Sequence, residues 1–74
     1  MYEQFKQILV EQMNIEESQI TEDAQLVADL GINSLELADL VYNCEETLGV
    51  EIDEDAYQKF VTVGDVVKYL ESLQ

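Results

Sequence analysis

The chain has 74 residues, in which 17 aspartates and glutamates face three lysines with no arginine or histidine, and its formal net charge is −14. This length leaves room for one small domain, and 47% hydrophobic residues are too many for a disordered acidic tail. The charge argues against direct recognition of nucleic acid or of an anionic membrane surface, because lysine and arginine hold those polyanions. It predicts basic partners instead.

Hydropathy, the N-terminal residues and the cysteine content indicate the cellular compartment of the protein. No apolar run approaches the roughly 18 to 20 residues needed to cross a bilayer, and the N-terminus lacks a basic segment followed by an apolar stretch. The lone Cys44 cannot form an internal disulfide, in agreement with a reducing compartment. We therefore expect a cytoplasmic monomer with no stable membrane insertion.

The first predicted element is a helix over residues 2–13, where apolar side chains recur in steps of three and four. Residues 14–33 carry scattered apolar side chains without sustained periodicity, which predicts a long ordered loop with at most a turn of helix. A loop of this length is uncommon unless it is functional.

The second predicted helix begins after Asn33 and continues to Leu48. Asn33 and Glu36 match a capping box in outline, and Gly49 supplies a stop. At a turn of roughly 100° per residue, five apolar side chains of this helix form a stripe on one face, which predicts that this face packs on the core. They are Leu37, Leu40, Val41, Cys44 and Leu48. Within that stripe we interpret Cys44 as a small hydrophobic residue and not as a reactive thiol.

A short third helix is predicted over residues 53–60, with acids in its first turn. A final helix starts at Thr62, with Asp65 completing a capping box and with Val61 and Val66 at hydrophobic-staple positions. Its buried stripe comprises Val63, Val66, Val67, Leu70 and Leu73. The predicted fold is all-α: a small four-helix bundle that forms a single domain over residues 1–74, with a long loop between helices 1 and 2.

The face of the second helix opposite the core stripe carries two large apolar residues, Leu35 and Tyr42, among carboxylates. An apolar spot rimmed by charge favours partner docking, although single exposed apolar residues are also ordinary. Between Lys6 and Lys59 the sequence holds 14 carboxylates and no base. Repulsion among these unpaired carboxylates opposes folding, so we expect them to serve partner docking. The alternative is that they only keep the protein soluble.

Ser34 follows the predicted cap residue, at a helix start where free backbone N–H groups and the helix dipole favour phosphate. Because Asn33 fills the capping role, the Ser34 hydroxyl is left free. A serine nucleophile needs a general base, yet the chain has no histidine and its nearest lysines lie 28 residues before and 25 after Ser34. If Ser34 carries chemistry, another enzyme must therefore modify it, and a phosphoester is the product that a helix N-terminus favours.

Four blocks of this sequence, in order, resemble the acyl carrier proteins. They are DLGINSLE (29–36), LADLV (37–41), EETLGVEI (45–52) and TVGDVV (62–67). Together with the short first helix and the long loop, the resemblance spans essentially the whole chain.

The resemblance implies a freestanding carrier, not an enzyme, whose Ser34 is esterified by 4′-phosphopantetheine. The terminal thiol of that group then holds acyl intermediates as thioesters, in fatty acid or related polyketide-type biosynthesis. Docking is implied on helix 2, against basic surfaces of phosphopantetheinyl transferase, acyltransferases and ketosynthase-type enzymes. The predicted docking residues are Leu35, Glu36, Asp39, Tyr42, Glu45 and Glu46.

The sequence departs from the family pattern at three positions. Asn33 stands where an acid usually precedes the modified serine, Asp53 replaces a frequent proline, and Tyr42 is bulkier than the usual aliphatic residue or methionine. The differences at Asn33 and Tyr42 bear on which enzymes load and use the protein, whereas the difference at Asp53 is expected to affect only local stiffness.

Two alternative functions share features with this sequence, and a third does not fit it. A freestanding peptidyl or aminoacyl carrier of a nonribosomal pathway shares the GINSL form, and an acidic interaction module that mimics nucleic acid shares the charge. A calcium-binding loop starting at Asp53 fails, because Gln58 and Gly64 stand where such a loop requires glycine and glutamate. No metal site is therefore expected.

Overall fold

The computed structural model describes residues 1–73 and is helical as predicted. In chain order its elements are helix α1 (Tyr2–Met13), a first 3₁₀ helix (Glu17–Gln19), helix α2 (Ser34–Leu48), a second 3₁₀ helix (Glu54–Lys59) and helix α3 (Val63–Ser72). The all-α fold with a long loop between the first two α-helices is confirmed. None of the helices in the described part combines the length and apolar character of a membrane span.

One buried apolar cluster joins the helices and the loop. Its largest fully buried side chains come from α1, the loop, α2 and α3, and they are Phe5, Leu9, Leu26, Ile32, Leu40, Cys44, Val63 and Leu70. No polar or charged side chain in residues 1–73 is buried. The carboxylates therefore lie at the surface, where water solvates them.

The loop over residues 14–33 is ordered by its attachment to the start of α3. The Val63 N–H donates to the Ala24 carbonyl and the Gly64 N–H donates to the Glu22 carbonyl, both at 2.9 Å, beside an antiparallel bridge between residues 25 and 62. A Cβ on Gly64 would lie 3.1 Å from the Glu22 carbonyl oxygen. Glycine thus permits this close approach of two backbone segments.

Helix α3 begins with the predicted capping box. The Asp65 N–H donates to the Thr62 hydroxyl at 3.1 Å, and the Thr62 N–H donates to the Asp65 carboxylate at 3.0 Å. That hydrogen bond from the Thr62 backbone is the main reason why the pKa of Asp65 is lowered from its ordinary 3.8. The box therefore favours the ionised carboxylate.

The third predicted helix is present as the 3₁₀ helix Glu54–Lys59 and not as an α-helix. Its cap residue Asp53 makes no side-chain hydrogen bond to the helix, and Ala56 is its only buried residue. Six residues with so little burial gain little from α-helical bonds, and such short helices often adopt the tighter form.

Some predicted core residues are less buried than expected. Leu37 and Leu48 are only partly buried, and Leu73 is 40% exposed. Val61, predicted to form a staple with Val66, is 52% exposed, whereas Val66 is buried. Leu48 and Leu73 lie at or just beyond helix ends, where the small core no longer covers them.

Ion pairing compensates little of the negative charge. Lys6 on α1 lies 3.5 Å from the Glu17 carboxylate of the first 3₁₀ helix, and this is the one salt bridge among residues 1–73. Its Nζ also lies 5.9 Å from the centre of the Tyr2 ring. No other carboxylate in residues 1–73 has a basic group within 4.0 Å.

Candidate functional site

The segment that leads into α2 is a turn held by its own side chains. The Gln25 N–H donates to the Asp29 carboxylate at 2.7 Å, and the Asp29 N–H returns a bond to the Gln25 carbonyl at 2.9 Å. The side chains of Leu30 and Ile32 are buried in the core. Asp29, Leu30 and Ile32 therefore serve the fold.

Gly31 lets this turn end abruptly. Its φ of 69° lies in the left-handed region that disfavours other residues. The Gly31 N–H donates to the Val27 carbonyl at 3.1 Å and the Ile32 N–H donates to the Leu26 carbonyl at 2.9 Å, the pattern that stops a helical turn. The chain is thereby redirected so that the next residues start α2.

Asn33 caps α2 as predicted. The Glu36 N–H donates to the Asn33 side-chain oxygen at 2.9 Å, and the Asn33 N–H donates to the Glu36 carboxylate at 3.2 Å. The Leu37 N–H donates to the Asn33 carbonyl at 2.8 Å. This box leaves nothing for the side chain of the intervening residue, Ser34, to do in the cap.

Ser34 is the first residue of α2 and its side chain is exposed. Its hydroxyl has no hydrogen bond with any residue in 1–73, and the Ser34 and Leu35 N–H groups likewise have no partner there. Two free amides at the positive end of a helix dipole suit a phosphodiester on the neighbouring oxygen. The site fits a phosphate-linked group, and its chemistry requires an outside catalyst.

Known proteins carry sequences close to this one. The family profile described as "Phosphopantetheine attachment site" matches residues 3–70. The "Acyl carrier protein" of Thermotoga maritima is 44% identical over 71 residues, which cover 96% of this chain and 88% of that protein. The "Acyl carrier protein" of Helicobacter pylori strain G27 is 42% identical over 71 residues, 96% of this chain and 91% of that protein.

The chain belongs to the acyl carrier protein family. It is accordingly a carrier and not an enzyme, and the group that the family holds is phosphopantetheine. Within residues 1–73 no group of three or more histidine, cysteine, aspartate or glutamate side chains could hold a metal ion.

The carrier presents the predicted docking residues unequally. Leu35 is 80% exposed and Tyr42 is 59% exposed, and the acids Glu36, Asp39 and Glu46 are exposed as well. The pKa of the Tyr42 hydroxyl is raised from 10.0, mainly by hydrogen bonding to the Glu46 carboxylate and then by its negative charge. Tyr42 therefore stays neutral at physiological pH.

Glu45 is different from its neighbours because it is half-buried and accepts a hydrogen bond. The Ile52 N–H donates to its carboxylate at 2.8 Å. The next amide, that of Asp53, donates to the Tyr69 hydroxyl of α3 at 3.2 Å. Sequence reasoning missed both contacts, because no local pattern distinguishes Glu45 from Glu46.

Cys44 lies in the core, as predicted, with 1% of its surface exposed. Burial, and secondarily the charge of Glu45, raise the pKa of its thiol from 9.0 to about 12. The carrier's own cysteine is thus a packing residue, and it does not compete with a thiol attached elsewhere.

Proposed function

We propose that this protein carries acyl intermediates on a 4′-phosphopantetheine arm joined through a phosphodiester to the Ser34 hydroxyl. When bound, the arm supplies a terminal thiol that holds the acyl group as a thioester. The pathway we propose is fatty acid or related polyketide-type biosynthesis, in the cytoplasm.

The observation that supports the proposal is that the named residues around Ser34 in the segment 29–36 each have a structural role, whereas Ser34 has none. Asp29 and Gly31 hold and end the turn, Leu30 and Ile32 are buried, and Asn33 with Glu36 caps the helix. Ser34 carries the one hydroxyl side chain of this stretch, and that hydroxyl is exposed and has no hydrogen bond with any residue in 1–73. An exposed hydroxyl that has no structural role and lies at the start of a helix suits attachment of the phosphopantetheine arm.

The contribution of the protein is to present the arm. Tethering a reactant turns each encounter with a docked enzyme into an intramolecular event at high effective concentration. Weak, charge-steered docking then suffices, and fast release lets the carrier visit one enzyme after another. The net charge of −14 supports partners with basic docking surfaces: the phosphopantetheinyl transferase, acyltransferases and ketosynthase-type enzymes.

Intact mass spectrometry after incubation with coenzyme A and a broad-specificity phosphopantetheinyl transferase tests the attachment. The wild-type chain is expected to gain the mass of one phosphopantetheine group. Ser34→Ala should gain none, while Ser18→Ala, a control at another exposed serine, should gain one. Unchanged mass in the wild type, or loading of Ser34→Ala, would refute the assignment.

The class of cargo needs a second experiment. The relatives are described as acyl carriers, which supports an acyl cargo over an aminoacyl one. We would offer the loaded carrier malonyl-CoA with a malonyl transferase, and separately an amino acid with an adenylating enzyme. Loading by the adenylating enzyme alone would show that the protein serves nonribosomal synthesis. If the wild-type chain accepts no cargo, and the Ser34→Ala variant binds partners as well as the wild type does, the protein is an acidic interaction module.

A further inference from the structure

The sequence contains three asparagines, Asn14, Asn33 and Asn43, and asparagine is among the chemically labile residues of proteins. The backbone nitrogen of the next residue can attack the side-chain amide carbon, because the two atoms close a succinimide ring. Loss of ammonia from the amide and addition of water to the ring leave a carboxylate in place of the amide. The structure distinguishes the three asparagines by the residue that follows each of them and by what the N–H group of that residue does.

Asn14 and Asn43 are poorly placed for this reaction. The Ile15 N–H already donates to the Leu9 carbonyl at 3.1 Å, and the β-branched side chain of Ile15 crowds its own nitrogen. Asn43 is half-buried inside α2, so the amide of the next residue, Cys44, belongs to the hydrogen bonds of the helix. Ring closure at either place would break an ordered backbone hydrogen bond, which raises the barrier.

Asn33 lacks both obstacles. It is exposed and precedes the first residue of α2, where the N–H groups of a helix have no partner within the helix. The Ser34 N–H has no hydrogen bond with any residue in 1–73, and the short serine side chain leaves its nitrogen accessible. Attack by this nitrogen therefore sacrifices no backbone hydrogen bond of its own.

The cap of α2 also favours the reaction electrostatically. The Ser34 nitrogen must lose its proton to attack, and it lies at the positive end of the helix dipole, which stabilises the negative charge. When the ring closes, negative charge also develops on the Asn33 side-chain oxygen, which already accepts a hydrogen bond from the Glu36 N–H at 2.9 Å. A backbone donor aimed at a developing oxyanion stabilises the intermediates of acyl transfer.

We propose that Asn33 is a deamidation site of this protein and that its conversion adds a carboxylate beside Ser34. The Ser34 nitrogen gives its proton to water and forms a bond to the Asn33 side-chain carbon. The bond from that carbon to the amide nitrogen breaks, and ammonia leaves after taking up a proton from water. Water then adds to one of the two carbonyl carbons of the ring. Opening at the side-chain carbon gives aspartate, and opening at the main-chain carbon gives isoaspartate.

The two products differ in their effect on α2. Aspartate at position 33 keeps an oxygen that accepts from the Glu36 N–H, and its charge lies at the positive end of the helix, so the cap is retained. Isoaspartate adds a carbon to the main chain before Ser34 and moves the acceptor, so the cap is weakened. Both products carry one more negative charge than asparagine.

Incubation of the full chain in mildly alkaline buffer tests the site. Cleavage after glutamate places each asparagine in a peptide of its own, residues 12–16, 23–36 and 37–45. Mass spectrometry then follows the mass increase from amide to acid. Asn33 should convert about tenfold faster than the other two, which corresponds to an activation free energy lower by about 1.4 kcal/mol. Equal rates at the three positions would overturn the proposal. Conversion of Asn33 only after unfolding in urea would overturn it as well, because the cap would then shield the side chain.

Ser34→Val tests the route of the reaction. Its β-branched side chain crowds the attacking nitrogen at an exposed position, so conversion of Asn33 should slow about tenfold. Leu35→Val, one residue further on, is the matched control and should leave the rate within about twofold of the wild type. An unchanged rate in Ser34→Val would show that the Ser34 nitrogen is not the nucleophile.

The consequence for loading rests on the proposed function and has its own measurement. After incubation, chromatography by charge should yield a fraction that co-elutes with the Asn33→Asp variant and has the same KM for a phosphopantetheinyl transferase. A fraction whose KM equals that of the fresh chain would refute the effect on loading. Failure of the proposed function looks different, because the fresh wild type would then accept no phosphopantetheine while the mass increase at Asn33 still appears.

Discussion

The Glu45 carboxylate accepts a hydrogen bond from the Ile52 N–H at 2.8 Å and ties the last turns of α2 to the segment before the second 3₁₀ helix. Ile52 is 8% exposed, so its amide has little access to water. Together with the bond from Asp53 to the Tyr69 hydroxyl, this contact fixes the connection between α2 and α3 from both helices.

Glu45→Ala is therefore expected to destabilise the fold by about 1–2 kcal/mol, because the Ile52 amide loses its acceptor. Glu46→Ala is the matched control, since it makes the same change in charge and helix propensity one residue further on, at an exposed side chain. Its effect should stay within about 0.5 kcal/mol. Urea denaturation of both variants measures the difference, and equal stabilities would show that the contact contributes nothing.

The cap of α2 makes a second prediction. Asn33→Ala removes the acceptor of the Glu36 amide and should cost about 0.5–2 kcal/mol. Asn33→Asp keeps an acceptor and places a charge at the positive end of the helix, so stability should be retained within about 0.5 kcal/mol.

The same pair of variants addresses the family departure at this position. The added carboxylate of Asn33→Asp lies next to Ser34 and should lower the transferase KM about twofold at low salt, through attraction to a basic partner. Thermal unfolding and loading kinetics measure the two effects separately. A loss of stability in Asn33→Asp as large as that in Asn33→Ala would contradict the capping role.

Sequence patterns predicted the two helix caps, whose hydrogen-bonded partners lie close in the chain. Both capping boxes, Asn33 with Glu36 and Thr62 with Asp65, join residues three apart, and both are present. The helical repeat also placed Cys44 in the core and Leu35 on the surface.

Contacts between distant segments could not be read from any local pattern. The bonds from the start of α3 to the loop depend on how two irregular segments meet in space, and a side chain at Gly64 would be crowded only because the Glu22 carbonyl comes close. In the same way, Glu45 and Glu46 are equivalent in the sequence. Their side chains differ by about 100° around the helix, and only the folded position of Ile52 selects one of them.

The lowered pKa of Asp65 predicts a specific pH dependence. A carboxyl whose pKa is lower in the folded state stabilises the fold above its unfolded value, here 3.8, and this contribution is lost as pH falls through the folded value. The stability difference between the wild type and Asp65→Asn should therefore be constant from pH 7 to about pH 5 and shrink below about pH 4. Using the difference removes the shared effect of protonating other acids. A difference that persists unchanged to about pH 2.5 would contradict it.

Cys44 should resist thiol reagents while the protein is folded. With a pKa of about 12 and 1% exposure, almost no accessible thiolate exists at pH 8. Reaction with Ellman's reagent should then follow unfolding, and adding denaturant should release one thiol at once. After loading of Ser34, one thiol should react rapidly in the folded protein and a second only on denaturation. Immediate reaction of the unloaded, folded chain would show that the core does not protect this side chain.

Stability should rise with ionic strength. Residues 1–73 contain one salt bridge against a net charge of −14 for the chain, so repulsion among carboxylates opposes folding. The screening length falls from about 30 Å at 10 mM salt to about 10 Å at 100 mM. From 10 mM to 100 mM salt we expect the thermal midpoint to rise by several degrees, which corresponds to about 1 kcal/mol of added stability. Glu51→Gln combined with Glu54→Gln should reduce the increase, because both carboxylates are exposed in the acidic run before and within the second 3₁₀ helix. A midpoint independent of salt would mean that the acidic surface costs the fold little.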